Sequence, residues 1–247
     1  MSTTDYLPRK ETMANEEFER KIGLVFKDKS LLETVFIHRS YLNEHRGSGL
    51  EHNERLEFLG DAVLELCVTE YLFKKYNKPE GEMTNWRSAL VKGESLSDEA
   101  KKIGLNDLIK TSRGEAKNVG KARDLILANA FEALIGAIYL DQGYDAAYKF
   151  IEKQIIYKLG EILETGTFYD PKSKFQEMSQ ELLNITPTYE LTSESGPDHN
   201  KTFVMGAYLN EKKVGEGSGM SKQRAQTDAA KNALENWDNI IGESNGK

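Results

Sequence analysis

The sequence is poor in the residues that form cross-links, rigid turns and membrane spans. It contains one cysteine and five prolines in 247 residues. A single cysteine cannot form an intramolecular disulfide, which favours a reducing compartment. The longest apolar run, residues 130–140, is too short to cross a bilayer and contains Glu132. The polar N-terminal segment lacks the apolar core of a secretory signal. We therefore expect a cytoplasmic protein with no membrane partner.

The sequence also lacks an excess of positive charge. Its formal net charge is −7, which argues against a generally basic nucleic-acid-binding surface but leaves room for local basic patches. It contains neither the H-E-x-x-H pattern of zinc sites nor the G-x-x-x-x-G-K-[ST] loop that binds nucleotides. We therefore expect neither a zinc centre nor a nucleotide cofactor.

The sequence does contain two regions that differ in the spacing of their apolar residues. Residues 16–163 have helical periodicity nearly throughout, interrupted by glycine-rich turns. From residue 170 onwards, the pattern predicts a helix, three strands and a second helix. We predict a multidomain chain in which an all-α domain is followed by an α+β (α-β-β-β-α) domain. The predicted segments are a flexible tail (1–15), the helical domain (16–163), a linker (164–169), the α+β domain (170–240) and a C-terminal tail (241–247).

Residues 52–68 contain the first candidate site, a line of carboxylates on a predicted helix. At about 100° per residue the four acidic side chains fall within an arc of roughly 80°. They are Glu54, Glu57, Asp61 and Glu65. Like charges at this spacing destabilise a helix by about 0.2–0.5 kcal/mol per pair, and a divalent cation would offset that repulsion. The alternative is a solvated acidic face with Arg55 nearby.

The opposite side of the same helix is apolar, and we predict that it is buried. Its members are Leu56, Leu59, Val63, Leu66 and Cys67. Phe58 does not join this face and projects close to the acidic line.

A second acidic position lies in residues 123–144, a helix that is apolar nearly all round and should be buried. Asn129 and Glu132 share one face of it. A buried Glu needs a partner, and a salt bridge to a cation such as Arg87 is one possibility. The other is an oxygen-rich pocket shared with Glu57 and Asp61, which would hold a divalent ion suited to phosphodiester hydrolysis.

The last predicted helix begins with basic residues. Ser221 is placed to cap it, and Lys222 and Arg224 lie in its first turn, where cations oppose the helix dipole. A helix start with this composition suits phosphate binding. The loop "GPDHN", with His199 at its tip, is by itself most simply a hairpin turn.

The order of these motifs resembles bacterial ribonuclease III. The resemblance rests on "HRSYLNE" (38–44), "NERLEFLGDAVLEL" (53–66), "PEGEMTNWRSALVKGESL" (79–96) and "LANAFEALIGAIYLDQG" (127–143). Residues 170–237 resemble the double-stranded-RNA-binding domain of the same family. The resemblance implies a homodimeric endonuclease that cuts double-stranded RNA with Mg²⁺ (or Mn²⁺ as a substitute) in processing of rRNA precursors and structured mRNAs. The products would carry 5′-phosphates and short 3′ overhangs.

The resemblance also implies roles for individual residues. The catalytic pair would be Asp61 and Glu132, and the metal ligands would be Glu57, Asp61, Asn129 and Glu132. Supporting acids would be Glu54, Glu80 and Glu115, and Phe58 would insert into the partner subunit. Contacts to the RNA minor groove would come from Gln176, Glu177 and His199. Phosphate contacts would come from Lys222, Gln223 and Arg224 behind the cap residue Ser221, in a recognition of shape rather than sequence.

Two positions depart from the family pattern. Asn129 stands where the family usually has Asp, so the site has one negative charge fewer. Weaker metal affinity or a preference for Mn²⁺ would follow from the lost charge. The alternatives are a lineage-specific variant that works normally and an engineered variant that binds without cutting. Gln223 replaces a residue that is commonly basic. An active nuclease is the leading hypothesis; the alternatives are a binding-only protein impaired at Asn129 and a structural subunit of a ribosome-like particle.

Overall fold

The fold is described from a computed structural model that covers residues 7–166, 170–197 and 200–244, with only the backbone described for 7–12 and 242–244. The chain divides into two compact units between residues 168 and 169. Each unit has its own hydrophobic core, and each is described by itself below. No helix among the described residues is long and apolar enough to cross a membrane.

The first unit is helical, as the sequence predicts. Its α-helices are α1 (Leu7–Ile22), α2 (Lys29–Val35), α3 (Arg39–Glu44), α4 (Glu54–Lys75), α5 (Glu80–Val91), α6 (Gly93–Lys102), α7 (Lys121–Gln142), α8 (Tyr144–Gln154) and α9 (Leu159–Thr165). Single 3₁₀ turns lie at Leu105–Asp107, Glu115–Lys117 and Ile156–Lys158. An isolated bridge joins Ile37 to Lys110.

The centre of this unit is the contact between α4 and α7. Two glycines allow the helix backbones to touch: a Cβ on Gly60 would lie 1.7 Å from the carbonyl oxygen of Glu132, and one on Gly136 would lie 2.2 Å from that of Leu56. Most of α7 is buried, as its apolar sequence predicts. The contact sets the acidic positions of the two helices beside each other.

The second unit has the predicted α-β-β-β-α order. It consists of α10 (Pro171–Leu183), β1 (Thr188–Ser195), β2 (Thr202–Leu209), β3 (Lys212–Gly219), α11 (Lys222–Glu235) and α12 (Trp237–Ser244). The strands form an antiparallel sheet in the order β1-β2-β3. The alanines of α11 are fully buried against the sheet. Alternate residues of β3 are glycine because a Cβ at Gly215, Gly217 or Gly219 would lie 2.0–2.8 Å from α11 atoms.

The ends of the chain differ from the prediction of unstructured tails. Helix α1 begins at Leu7, within the predicted tail 1–15, because the buried Phe18 and Ile22 anchor a helix that continues towards the N-terminus. Helix α12 runs through the predicted tail 241–247 as far as Ser244. Its Trp237 and Ile240 are buried, and the Trp237 ring meets Phe175 edge-on with centroids 5.9 Å apart. At the predicted linker, α9 continues to Thr165.

Candidate functional site

The acidic line lies at the N-terminal half of α4. The helix begins at Glu54 after Asn53, whose side-chain amide donates to the main-chain oxygen of Val35 at 3.0 Å and anchors the helix start. Glu54 and Glu57 lie in the first turn, where the helix dipole favours negative charge. Asp61 is exposed, whereas Glu57 is half-buried.

Asn129 connects α7 to this line. Its side chain is hydrogen-bonded to the carboxylate of Glu57 across the helix contact. Burial raises the pKa of Glu57 above its usual value, and the nearby Glu54 and Asp61 add to the increase, while the Asn129 hydrogen bond opposes it. The amide therefore stabilises the charged form of a carboxylate that its surroundings disfavour.

Glu132 is the most strongly perturbed acid of the site. Burial raises its pKa to about 7, and the negative charges of Asp61, Glu57 and Glu65 contribute in the same direction. These electrostatic couplings show that the carboxylates of α4 and α7 share one region. A buried carboxylate is unfavourable without a partner, and among the described residues no cation pairs with Glu132.

The described cations near the site do not neutralise Glu132. Arg87, which the sequence offers as a salt-bridge partner for Glu132, instead places its Nε 2.9 Å from Glu65 and donates to Thr69. Arg39 pairs with Glu54 at 3.2 Å. Arg55 is exposed, and no ion pair is found for it within the described part of the chain. The salt-bridge interpretation of Glu132 is therefore wrong.

The donor set fits a divalent cation of the Mg²⁺ type, which binds carboxylate and amide oxygens. Glu57, Asp61 and Asn129 lie near the half-buried Glu132, which no cation of the described residues neutralises. Within the described ranges, no three acidic, histidine or cysteine side chains already converge as a preassembled metal cage. An ion could be held here only if these side chains moved closer to one another than they lie in this structure.

The three acids that the sequence predicts as supporting residues lie in different surroundings. Glu54 is close enough to raise the pKa of Glu57. Glu115 is half-buried in a 3₁₀ turn, accepts a hydrogen bond from Asn118 and, like Glu54, raises the pKa of His38, although burial leaves that pKa lowered overall. Glu80 lies beside the C-terminal half of α4, since it lines a pocket with Thr69. Thr69 is twelve residues beyond Glu57, or about 18 Å along the helix.

An exposed apolar stripe runs along α4 next to the acidic line. Phe58 is 82% exposed, Leu66 57% and Phe73 76%. The prediction that Leu66 is buried is therefore wrong. At 100° per residue, Phe58, Ala62, Leu66 and Phe73 lie within an arc of about 80°, so the same arithmetic that found the acids could have found the stripe. Exposed apolar patches of this kind mark interaction surfaces.

A pocket of about 150 Å³ opens at the far end of this stripe. It lies between α4 and α5, and its lining includes Thr69, Leu72, Phe73, Met83 and Arg87. Sequence reasoning did not find it, because its residues come from two helices whose packing the sequence pattern does not specify.

The RNA-binding candidates of the second unit are exposed wherever they are described. Ser221 caps α11 by accepting a hydrogen bond from the Arg224 amide at 3.2 Å, and Lys222, Gln223 and Arg224 are exposed around this helix start. Gln176 and Glu177 are exposed on α10. His199 lies outside the described residues.

Two protein-family profiles match the chain. One, described as Ribonuclease-III-like, covers residues 28–159, and the other, described as the double-stranded RNA binding motif, covers residues 171–236. The first therefore includes α4 and α7, and the second includes the sheet and α11.

Curated relatives match over nearly the whole chain. "Ribonuclease 3" of Streptococcus gordonii is 46% identical over 227 residues, which are 90% of this chain and 96% of that protein. "Ribonuclease 3" of Oceanobacillus iheyensis is 44% identical, over 90% of this chain and 97% of that protein. Among solved structures, the nuclease domain of ribonuclease III from Campylobacter jejuni is 42% identical with a TM-score of 0.50. That match covers 56% of this chain and 96% of the solved domain, whose region involved in dimer formation is described as flexible.

Proposed function

This chain belongs to the ribonuclease III family, and from that premise we propose how its residues cut double-stranded RNA. It is an endoribonuclease with a helical nuclease domain and a double-stranded-RNA-binding domain. The family is one of nucleases that need a divalent metal ion. We assign the nuclease domain to residues 16–163 and the RNA-binding domain to 170–240, with α1 and α12 extending beyond these bounds.

The observation that carries the active-site assignment is the convergence of two acidic helix faces at the α4–α7 contact. Glu57, Asp61, Asn129 and Glu132 would hold Mg²⁺, for which Mn²⁺ could substitute. The ion, when bound, polarises the phosphate and lowers the pKa of the attacking water. Asp61 and Glu132 are the proposed catalytic pair, and Glu54, Glu80 and Glu115 are supporting acids.

Asn129 is proposed to function as a ligand despite its missing charge. Its side chain is hydrogen-bonded to Glu57, so it positions that carboxylate, and an amide oxygen is an acceptable ligand for a hard cation. The remaining three acids are all present, which favours an active enzyme over a binding-only protein. In the binding-only alternative, the lost charge at this position would prevent cleavage while RNA binding is retained.

The apolar stripe of α4 is the proposed dimer contact. In a two-fold dimer, residue i contacts residue j of the partner and residue j contacts residue i. Antiparallel pairing of two α4 helices about Leu66 would set each Phe58 against the partner's pocket near Phe73, because both lie seven or eight residues from that centre. The pocket of about 150 Å³ beside Phe73 is lined by apolar atoms of Leu72 and Met83, which suits an aromatic ring.

The second domain is proposed to bind the duplex by its shape. Gln176 and Glu177 on α10 and His199 in the β1–β2 loop would meet the minor groove, and Lys222, Gln223 and Arg224 behind Ser221 would face phosphates. The exposure of the described members of this set supports the proposal. Precursors of rRNA and structured mRNAs in the cytoplasm are the proposed substrates.

Cleavage of a long double-stranded RNA tests the function. Wild type, Asn129→Asp and Glu132→Gln are compared in Mg²⁺ and separately in Mn²⁺. We expect discrete short duplex products with 5′-phosphates and short 3′ overhangs from the wild type and from Asn129→Asp, and none from Glu132→Gln. Bound but uncut RNA in both metals, with cleavage gained in Asn129→Asp, would instead establish the binding-only alternative.

A further inference from the structure

Two adjoining grooves on the nuclease domain are lined by lysines. One groove, of about 320 Å³, includes Lys21, Lys102 and Lys153 in its lining. The other, of about 560 Å³, includes Lys27, Lys149 and the same Lys153. We call these five residues the lysine surface: Lys21, Lys27, Lys102, Lys149 and Lys153.

Four of these lysines lack the partners that other lysines have. Lys21, Lys27, Lys149 and Lys153 are exposed, and no carboxylate of the described residues forms an ion pair with any of them. Elsewhere in this domain ion-paired lysines are common: Lys74 lies 2.5 Å from Glu70, for example.

The charge balance of the grooves is positive. Only two carboxylates contribute to the described lining, Glu99 and Asp145. Glu99 is buried and already paired at 2.7 Å with both Lys102 and Lys158. Although the net charge of the chain is −7, the lysine surface is locally positive and would therefore attract a polyanion.

The lysine surface is separate from the metal site. Gln142, which lines the larger groove, ends α7 ten residues after Glu132. This spacing corresponds to about 15 Å along the helix. The other lining residues come from α1, the loop after it, α6 with the residue that follows it, α8 and the 3₁₀ turn at 156–158, none of which contributes a proposed metal ligand.

The floor of the grooves is apolar and aromatic. Ile22, Leu24 and Phe150 line the larger groove. Tyr157 lines the smaller one, is 56% exposed, and has the Lys102 ammonium 5.7 Å from its ring centroid. A basic rim beside an exposed aromatic ring, here that of Tyr157, is the arrangement that holds unpaired nucleotides, with phosphates on the cations and a base on the ring. A duplex keeps its bases stacked inside and would not use the floor.

We propose that the lysine surface binds single-stranded RNA, such as the unpaired segments that flank a duplex substrate. This inference rests on the proposed function in one respect, which is that RNA is taken to be the polyanion. Binding is therefore measured in EDTA, where cleavage plays no part, and cleavage of a fully paired duplex is measured separately.

The experiment is fluorescence anisotropy of a labelled single-stranded RNA with the full chain over a salt series. Lys149→Gln/Lys153→Gln should weaken binding about tenfold or more and reduce the slope of log K against log salt by about 1.4, since each phosphate contact to a single strand contributes about 0.7. Tyr157→Ala should weaken binding about fivefold or more by removing a stacking platform. The matched control is Lys92→Gln/Lys231→Gln, which neutralises two ion-paired lysines elsewhere and should leave the affinity within about twofold.

Two results would overturn the proposal. One is an affinity and a salt slope that are the same in Lys149→Gln/Lys153→Gln as in wild type. The other is binding of polyglutamate at this surface as tight as that of RNA, with Tyr157→Ala silent, which would indicate an acidic protein segment instead. Cleavage of the fully paired duplex by the Lys149→Gln/Lys153→Gln variant should equal that of wild type, so failure of the nuclease assignment remains distinguishable.

Discussion

Gly60 of α4 lies directly against the main-chain carbonyl of Glu132 on α7, with space for a hydrogen atom and none for a methyl group. This contact fixes the separation of the two helices that carry the acidic residues. The proposed active site therefore depends on backbone packing, which sets the spacing of the two helices that carry its side chains.

Gly60→Ala should accordingly separate α4 from α7 and damage both stability and cleavage. We expect a loss of about 2–3 kcal/mol in the free energy of unfolding, as for overpacked cores, measured by chemical denaturation. Gly81→Ala is the control, because a Cβ there meets nothing within 4 Å and it also lies in a helix. That change should be neutral or stabilise the protein by up to about 1 kcal/mol. Equal stability of the two variants would contradict the close-contact reading.

Glu132 should make the metal-free protein less stable at higher pH. Its folded pKa is raised to about 7, above the unfolded value of about 4.3, so the folded state keeps the proton up to about pH 7. The resulting stabilisation is complete below the unfolded pKa and is lost as pH rises through the folded pKa. In EDTA, the free energy of unfolding of wild type should fall by about 1–2 kcal/mol between about pH 4.5 and pH 7.5. Glu132→Gln should remove most of this dependence.

Divalent ions should stabilise the wild type more than Glu132→Gln. Mg²⁺ should raise the melting temperature of wild type at pH 7.5 and leave Glu132→Gln much less affected, because a ligand that binds the native state stabilises it. The control is Glu94→Gln, whose carboxylate is highly exposed and should change neither the pH dependence nor the response to Mg²⁺. A Glu132→Gln protein that responds to Mg²⁺ as wild type does would remove Glu132 from the ligand set.

Phe58→Ala should weaken the proposed dimer. A buried aromatic anchor is typically worth about 2–4 kcal/mol at an interface, so the dissociation constant measured by sedimentation should rise by about thirtyfold or more. Phe73→Ala, at the proposed receiving pocket, should have a similar effect. Val25→Ala removes an equally exposed apolar side chain from a loop outside α4 and should leave association unchanged. An undisturbed dimer in Phe58→Ala would refute the role of the stripe.

Lys222→Ala/Arg224→Ala should weaken duplex binding in a salt-dependent manner. Two lost phosphate contacts reduce the slope of log K against log salt by about 1.8 for a duplex, which a filter-binding series in EDTA would measure. Lys231→Ala is the control on the same helix, because it lies about 10 Å further along the axis than Arg224 and is paired with Glu235, and its slope should match wild type. Equal slopes for all three proteins would exclude the start of α11 from phosphate binding.

The sequence allowed the helical and α+β regions to be predicted because helical and strand periodicities differ clearly on the two sides of residue 164. It also placed Glu57, Asp61, Asn129 and Glu132 on two helix faces, and the structure brings those faces together. The sequence alone did not show that Glu132 lacks a cationic partner among the described residues, because that depends on the tertiary packing, in which Arg87 pairs with Glu65.

Leu66 shows the limit of the periodicity argument. It lies about 80° from Phe58 around α4, at the border between the buried face and the exposed stripe. A helical wheel gives the direction in which a side chain points, but it does not show how much of the helix surface the neighbouring helices cover. Helix α12 was missed for a different reason: it is short and has few apolar residues, and the burial of Trp237 and Ile240 depends on tertiary contacts such as that with Phe175.

The alternating glycines of β3 have a consequence for inherited variation. Every missense change of a glycine codon adds at least a methyl group, and at Gly215, Gly217 and Gly219 such a group would collide with α11. The exposed Glu216 and Ser218 between them face no such barrier. Natural variants of this strand should therefore accumulate at every second position, and a gene library randomised across it should return folded proteins whose diversity has a period of two.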